Sequence, residues 1–138
     1  RFRANSFAPT SPSWGFNNRT AGVRIPDATG PGARFEHRIC GADVNPYLAF
    51  AAILGGALAG LEQPQNFGLP PEVSSDSTHQ PLSKDWQTAL ELFKASDWAS
   101  EVFGADYKRI FTAVKQDELD QLTTPITPLE YEAYLSRF

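Results

Sequence analysis

The sequence predicts an α+β fold, in which a short antiparallel β-hairpin is followed by a buried helix and a mainly helical C-terminal tail. Three observations support this prediction. Residues 33–39 alternate between charged and apolar side chains, an almost continuous apolar run follows Asn45, and aromatic residues recur at helical spacing after residue 84. The 138 residues are enough for one domain, and we divide them into four segments: 1–44, 45–62, 63–83 and 84–138.

The first segment is interpreted as a loop followed by the hairpin. Residues 1–18 are rich in proline and asparagine, which is typical of a loop. TAGVRIP (20–26) is predicted to be a strand that ends at its proline, DATGPG (27–32) a turn, and ARFEHRI (33–39) the second strand.

Alternation along the second strand separates its side chains into two faces. One face carries Arg34, Glu36 and Arg38, and the other carries Phe35, His37 and Ile39. Glu36 is expected to remain ionised, because neighbouring positive charge lowers the pKa of a carboxyl group. The charged face is either solvated or lines a polar cavity.

The second segment, 45–62, is the clearest helix. Asn45 is the predicted N-cap and Pro46 the first helical residue. Because residues 47–61 are apolar almost all round, we predict that this helix is buried. The third segment is a connector rich in Pro, Ser and Gln, and its His79 has no Cys or His partner at metal-ligand spacing.

The fourth segment is predicted to contain four helices. The first is predicted to begin after a Ser83 cap, and the second to begin after a Ser96 cap and end at Gly104. The last is predicted to begin after a Thr127 cap that is followed by proline. Aromatic residues that recur at helical spacing in these helices are predicted to form a core.

Positive charge is concentrated near the N-terminus. Residues 1–38 contain six arginines and two acidic residues, whereas the remainder contains six basic and fourteen acidic residues. Arginine without lysine favours bidentate binding of carboxylate or phosphate, so an anion-binding surface is indicated here, with a solvated strand face as the alternative. The net charge of −4 argues against general binding to nucleic acid, and no apolar run is long enough to span a membrane.

Two features of composition concern the setting of the protein. The single Cys40 cannot form an internal disulfide, which predicts a reducing, cytoplasmic location. The chain contains no Met and begins with Arg1, so we expect it to be a piece of a longer polypeptide. It contains no phosphate-binding loop, dinucleotide fingerprint, HExxH or CxxC motif.

Three ordered motifs resemble the C-terminal catalytic segment of glutamine synthetases. They are NRTAGVRIP (18–26), ARFEHR (33–38) and ADVNPYLAFAAILGGALAGLE (42–62). Together with the closing ITPLEYEAYLSRF (126–138), they resemble most the γ-glutamylpolyamine (glutamate–putrescine) ligase branch of that family. The resemblance implies a fragment of a glutamine synthetase catalytic domain.

The resemblance also implies a role for five residues. Arg1 would hold the α-carboxylate of glutamate, and Glu36 would be a ligand of a divalent metal. Arg19 and Arg24 would handle nucleotide phosphate and the transferred phosphoryl group. Arg38 would contact the γ-carboxyl group and its phosphorylated intermediate.

The function implied for the intact protein is ATP-dependent ligation of glutamate to an amine, with Mg²⁺ or Mn²⁺ as the metal. The amine is ammonia, putrescine or another, and neither nucleic acid nor a membrane is an expected partner. The intact protein is expected to form a homo-oligomeric ring, while the chain alone, with one metal ligand, is expected to be inactive. Two alternatives stay open: a non-catalytic helical module that binds an anion or a protein partner, and a regulatory paralogue.

Overall fold

The chain divides into two units that are described separately. The structure, a computed structural model, describes residues 8–63 and 81–135. The units are Arg1–Lys84, whose described residues form a sheet and one helix, and Asp85–Phe138, whose described residues are mainly helical. The predicted α+β class is therefore confirmed.

Within residues 8–63, the sheet of the first unit has three strands rather than two. They are β1 (Trp14–Phe16), β2 (Val23–Asp27) and β3 (Arg34–His37), in the order β1-β2-β3. The antiparallel pairing of β2 with β3 confirms the predicted hairpin, whereas β1 pairs parallel to β2. The prediction of a loop over residues 1–18 is wrong at β1, because its backbone pairs with a strand that begins only a few residues later.

The connection between β1 and β2, residues 17–22, is unusually short for a parallel pair, which commonly needs a dozen residues or more. Two asparagines lie in this connection. Asn17 adopts a left-handed backbone conformation, with φ of 48°, which asparagine tolerates better than most residues. The side-chain Oδ1 of Asn18 accepts hydrogen bonds from the backbone N and the Oγ1 of Thr20, at 2.9 and 2.8 Å.

Gly22 lies where the segment before β1 passes the start of β2. A Cβ atom at this position would lie 3.1 Å from the carbonyl oxygens of both Ser11 and Ser13. Its neighbour Ala21 is fully buried, and the carbonyl of Gly22 accepts a hydrogen bond from the amide of Arg38 at 2.9 Å. Gly22 thus joins the segment before β1 to the end of β3.

The predicted turn between β2 and β3 contains one turn of 3₁₀-helix, Gly30–Gly32. Oδ1 of Asp27 accepts a hydrogen bond from the amide of Thr29 at 3.0 Å, and Gly30 has a φ of 71°. An aspartate and a left-handed glycine are usual in such turns, so this part of the hairpin forms from local interactions.

Helix α1 (Pro46–Glu62) has the predicted N-terminus. The side chain of Asn45 accepts hydrogen bonds from the amides of Tyr47 and Leu48, at 3.0 and 3.3 Å. The prediction that this helix is buried is wrong: it has no buried residue, and Leu61 is 81% exposed. An apolar helix is buried only where other groups cover it, and the described residues cover only its side toward β3.

The second unit contains four helices between residues 85 and 135. They are α2 (Trp86–Ala95), α3 (Asp97–Phe103), α4 (Ala105–Thr123) and α5 (Pro128–Leu135). None of the helices in the described part of the chain combines the length and the apolar character that crossing a bilayer requires.

Most of the predicted boundaries of these helices are confirmed. Oγ of Ser96 caps α3 by accepting a hydrogen bond from the amide of Ala99 at 3.1 Å, and α3 ends at Gly104 with φ of 83°. The predicted Ser83 cap is wrong: α2 begins at Trp86, and Asp85, the residue immediately before it, accepts a hydrogen bond from the amide of Thr88 at 2.7 Å.

Aromatic side chains pack between α2, α3 and α4. Phe93 lies 5.3 Å from Phe111 and 6.0 Å from Phe103, between ring centroids, and Tyr107 stacks on Phe111 at 5.8 Å. These contacts confirm the predicted core of the tail. The buried aliphatic residues of this unit are Leu90, Ala99 and Leu119.

Candidate active site

Arg24 and Glu36 lie directly opposite each other on β2 and β3. Residues paired in this way on antiparallel strands project from the same face, so their side chains meet. Nη1 of Arg24 lies 2.8 Å from Oε2 of Glu36. Both side chains are largely sheltered, with 15% of Arg24 and 31% of Glu36 exposed.

Each member of this ion pair has a second partner. Nη2 of Arg24 donates a hydrogen bond to Oδ1 of Asn17 at 2.5 Å. Oε1 of Glu36 lies 3.7 Å from Nη2 of Arg34, whose Nη1 donates to the carbonyl of Gly32 at 3.2 Å. The two carboxylate oxygens are therefore divided between two arginines, one sheltered and one more exposed.

The pKa of Glu36 lies below its ordinary value. The hydrogen bond from Arg24 is the main cause, and desolvation opposes it. The positive charges of Arg24, Arg34 and Arg38 lower the pKa further. The prediction that Glu36 remains ionised is confirmed.

The other candidate arginines differ in position. Arg38 follows β3 on the same strand face as Glu36, and its amide is fixed by the carbonyl of Gly22. Arg19 is exposed in the connection between β1 and β2 and, among the described residues, makes no hydrogen bond or ion pair with the charged face. Arg1 lies outside the described residues.

The opposite face of β3 is directed toward α1. Phe35 and His37 line a cavity of about 430 Å³ together with Cys40 and, from α1, Phe50 and Leu54. Burial lowers the pKa of His37 and raises that of Cys40, as expected beside apolar side chains. The two-faced character predicted for this strand is therefore confirmed, with charge on one face and apolar contacts on the other.

Glu36 is also the predicted metal ligand. An ionised carboxylate is a suitable ligand for a hard cation such as Mg²⁺. Within residues 8–63 and 81–135, however, no three His, Cys, Asp or Glu side chains form a group that could hold a metal ion. Glu36 fits a divalent cation as one ligand, and a complete site needs further ligands from outside these residues.

The contact between Asn17 and Arg24 was not predicted from the sequence, because residues 1–18 are interpreted as a loop. The proximity of Arg34 to Glu36 agrees with the strand face that the alternation predicts for both residues. No local sequence signal identifies Asn17, because its contact depends on the unexpected pairing of β1.

Comparison with known proteins identifies the family. A family model described as the catalytic domain of glutamine synthetase matches residues 1–134. The chain belongs to the glutamine synthetase family. The resemblance that the three sequence motifs indicated is thereby confirmed.

Relatives in the glutamine synthetase family include several ligases that act on amines. A γ-glutamylputrescine synthetase of Escherichia coli (strain K12) is 38% identical over 135 residues, which are 96% of this chain and 28% of that protein. A γ-glutamylethanolamide synthetase of Streptomyces coelicolor is 34% identical over 140 residues, 99% of this chain and 30% of that protein. The chain thus spans about 30% of the length of the curated relatives it matches.

Solved structures agree with this assignment. The GmaS/ADP complex has a TM-score of 0.80 and 26% identity, covering 99% of this chain and 33% of the GmaS chain. GmaS without ligand has a TM-score of 0.78 and 28% identity, covering 94% and 31%. The described fold therefore corresponds to part of a larger glutamine synthetase-like structure.

Proposed function

We propose that this chain is part of the catalytic domain of an ATP-dependent ligase that joins the γ-carboxylate of glutamate to an amine through γ-glutamyl phosphate. The observation that carries the proposal is the charged face of the hairpin. There, one ionised carboxylate is held 2.8 Å from Arg24, with Arg34 and Arg38 close enough to lower its pKa. Phosphoryl transfer needs positioning and charge neutralisation, which guanidinium groups supply.

The proposed reaction has two steps. An oxygen of the γ-carboxylate attacks the γ-phosphorus of ATP, the bond to the bridging oxygen breaks, and ADP leaves. The amine nitrogen then attacks the acyl carbon of γ-glutamyl phosphate, inorganic phosphate leaves, and the nitrogen releases a proton.

The residues of this chain take the roles that the family resemblance implies. Arg24 and Arg19 bind nucleotide phosphate and the phosphoryl group in transfer. Arg38 contacts the γ-carboxyl group and its phosphorylated form, and Arg1 holds the α-carboxylate of glutamate. A divalent ion, Mg²⁺ or Mn²⁺, would neutralise phosphate charge when bound, and Glu36 is the residue that would contribute a ligand.

The intact protein is proposed to be a cytoplasmic ring of identical subunits. Its amine is proposed to be a polyamine such as putrescine, with ammonia as the alternative. The γ-glutamylputrescine synthetase among the relatives supports the first choice, and the match to the glutamine synthetase catalytic-domain model supports the second. The isolated chain is proposed to have no ligase activity, because its described residues offer no complete metal site.

The test uses a chimera in which this chain replaces the matching region of the Escherichia coli γ-glutamylputrescine synthetase. We expect ATP-dependent formation of γ-glutamylamide from glutamate and one amine of a panel containing ammonia, putrescine and ethanolamine. Arg38→Ala should lower kcat by about 10² or more, the usual effect of removing a group that stabilises transition-state charge. Arg109→Ala, an exposed arginine paired with Asp106, is the matched control and should leave the rate unchanged.

Two results would contradict the proposal. Ligase activity of the isolated chain would refute its inactivity. A chimera that folds and binds ATP but forms no product with any amine would favour the non-catalytic alternatives.

A further inference from the structure

Asn17 occupies an unusual position at the end of β1. Its amide donates a hydrogen bond to the carbonyl of Ile25 at 2.9 Å, which extends the parallel pairing of β1 with β2. Its backbone then turns into the left-handed region, with φ of 48°. This turn directs its side chain toward β2, where Oδ1 accepts the 2.5 Å hydrogen bond from Nη2 of Arg24.

The guanidinium group of Arg24 is consequently held at both terminal nitrogens. Glu36 accepts from Nη1 on one side, and Asn17 accepts from Nη2 on the other. The buried Nε atom has no hydrogen-bond partner among the described residues. Two acceptors therefore restrain rotation of the planar group more than either acceptor alone would.

We propose that Asn17 is a positioning residue for Arg24. It does not touch the reacting atoms, and it acts by fixing the plane of the Arg24 guanidinium against Glu36. The value of this orientation for phosphoryl transfer rests on the proposed function, in which Arg24 binds phosphate. The orientation itself is a property of this chain alone.

The experiment measures rotation of the Arg24 guanidinium by ¹⁵N NMR in the whole chain, with signals assigned by Arg24→Lys. Wild type should give separate signals for the two terminal nitrogens. Asn17→Gly removes the acceptor oxygen, and glycine still permits a φ of 48°. Rotation of the guanidinium should therefore become about tenfold faster or more, because the loss of one hydrogen bond to a charged group lowers the barrier by an amount that corresponds to this ratio.

Two further variants separate the side chain from the turn. Asn17→Asp keeps both an acceptor oxygen and tolerance of the left-handed conformation, and should retain slow rotation. Asn18→Ala changes the same turn, but the Asn18 oxygen serves Thr20 rather than Arg24, so rotation should again stay slow.

Three outcomes would overturn the proposal. The first is slow rotation in Asn17→Gly, as in the wild type, and the second is rotation in Asn18→Ala that is as fast as in Asn17→Gly. The third is loss of the β2–β3 amide signals in Asn17→Gly, which would show that Asn17 is needed for the sheet itself. The measurement needs neither nucleotide nor turnover. A negative result therefore leaves the ligase proposal intact, and an inactive chimera leaves this result intact.

Discussion

Replacing Gly22 by alanine should loosen the sheet that carries the charged face. The added Cβ would lie 3.1 Å from the carbonyl oxygens of Ser11 and Ser13 and 3.2 Å from Cδ1 of Ile39, closer than an ordinary contact of about 3.5–4.0 Å. The Ile39 side chain can move aside. The two carbonyls cannot do so freely, because that of Ser13 already accepts the amide of Val23 at 2.8 Å.

The expected magnitude follows from two opposing effects. Forcing an extra methyl group into a closely packed site costs about 1–3 kcal/mol. Alanine also lowers the conformational entropy of the unfolded chain relative to glycine, which offsets about 0.4–1 kcal/mol of this packing cost. We therefore expect Gly22→Ala to lower the free energy of opening this part of the sheet by about 1–2 kcal/mol.

Amide hydrogen exchange is the appropriate assay, because it reports on this unit separately from the helical unit. The Arg38 amide, which donates to the carbonyl of Gly22, should exchange about tenfold faster in the variant. Gly60→Ala is the control, since its Cβ would meet nothing within 4 Å in α1, and alanine there should stabilise the helix by roughly 0.5–1 kcal/mol. Unchanged exchange of Arg38 in Gly22→Ala would refute the reasoning.

Two other predictions concern protonation and packing. The pKa of Glu36, measured by ¹³C NMR, should lie below that of an ordinary glutamate and should rise in Arg24→Met; an unchanged pKa in this variant would contradict the prediction. The contribution of ionised Glu36 to stability should be complete above the ordinary carboxyl pKa and should be lost as the pH falls through the lowered pKa of the folded state. Leu119→Ala should lower the free energy of unfolding of the helical unit by about 2–5 kcal/mol, measured by urea titration with tryptophan fluorescence. The control Leu122→Ala, at a residue 67% exposed, should change this free energy by less than about 0.5 kcal/mol, and equal effects of the two variants would show that Leu119 is not a core residue.

Features governed by neighbouring residues could be predicted from the sequence. The Asn45 cap and the β2–β3 turn each depend on contacts within a few positions, and both are present. The two faces of β3 follow from the fixed alternation of a strand. On this basis Glu36 was expected to be ionised among arginines, and the structure agrees.

Features that depend on strand pairing or on the surroundings of a helix could not be predicted. The strand β1 has only three residues and pairs parallel to β2 across a very short connection, so neither its composition nor its spacing indicated a strand. The partner of Arg24 at Asn17 was missed for the same reason. The apolar character of α1 predicted burial, but burial depends on what surrounds a helix and cannot be read from the helix itself.

The short connection between β1 and β2 also limits how the segment can vary in evolution. Trp14 pairs with Val23 and Phe16 with Ile25, so a fixed offset along the chain sets the register. An inserted or deleted residue in 17–22 would either break that register or carry Asn17 away from Arg24. In homologues with a different length of this connection, the arginine equivalent to Arg24 is therefore expected to have a different second hydrogen-bond acceptor. Alignments that place a gap within the connection should be checked against structure.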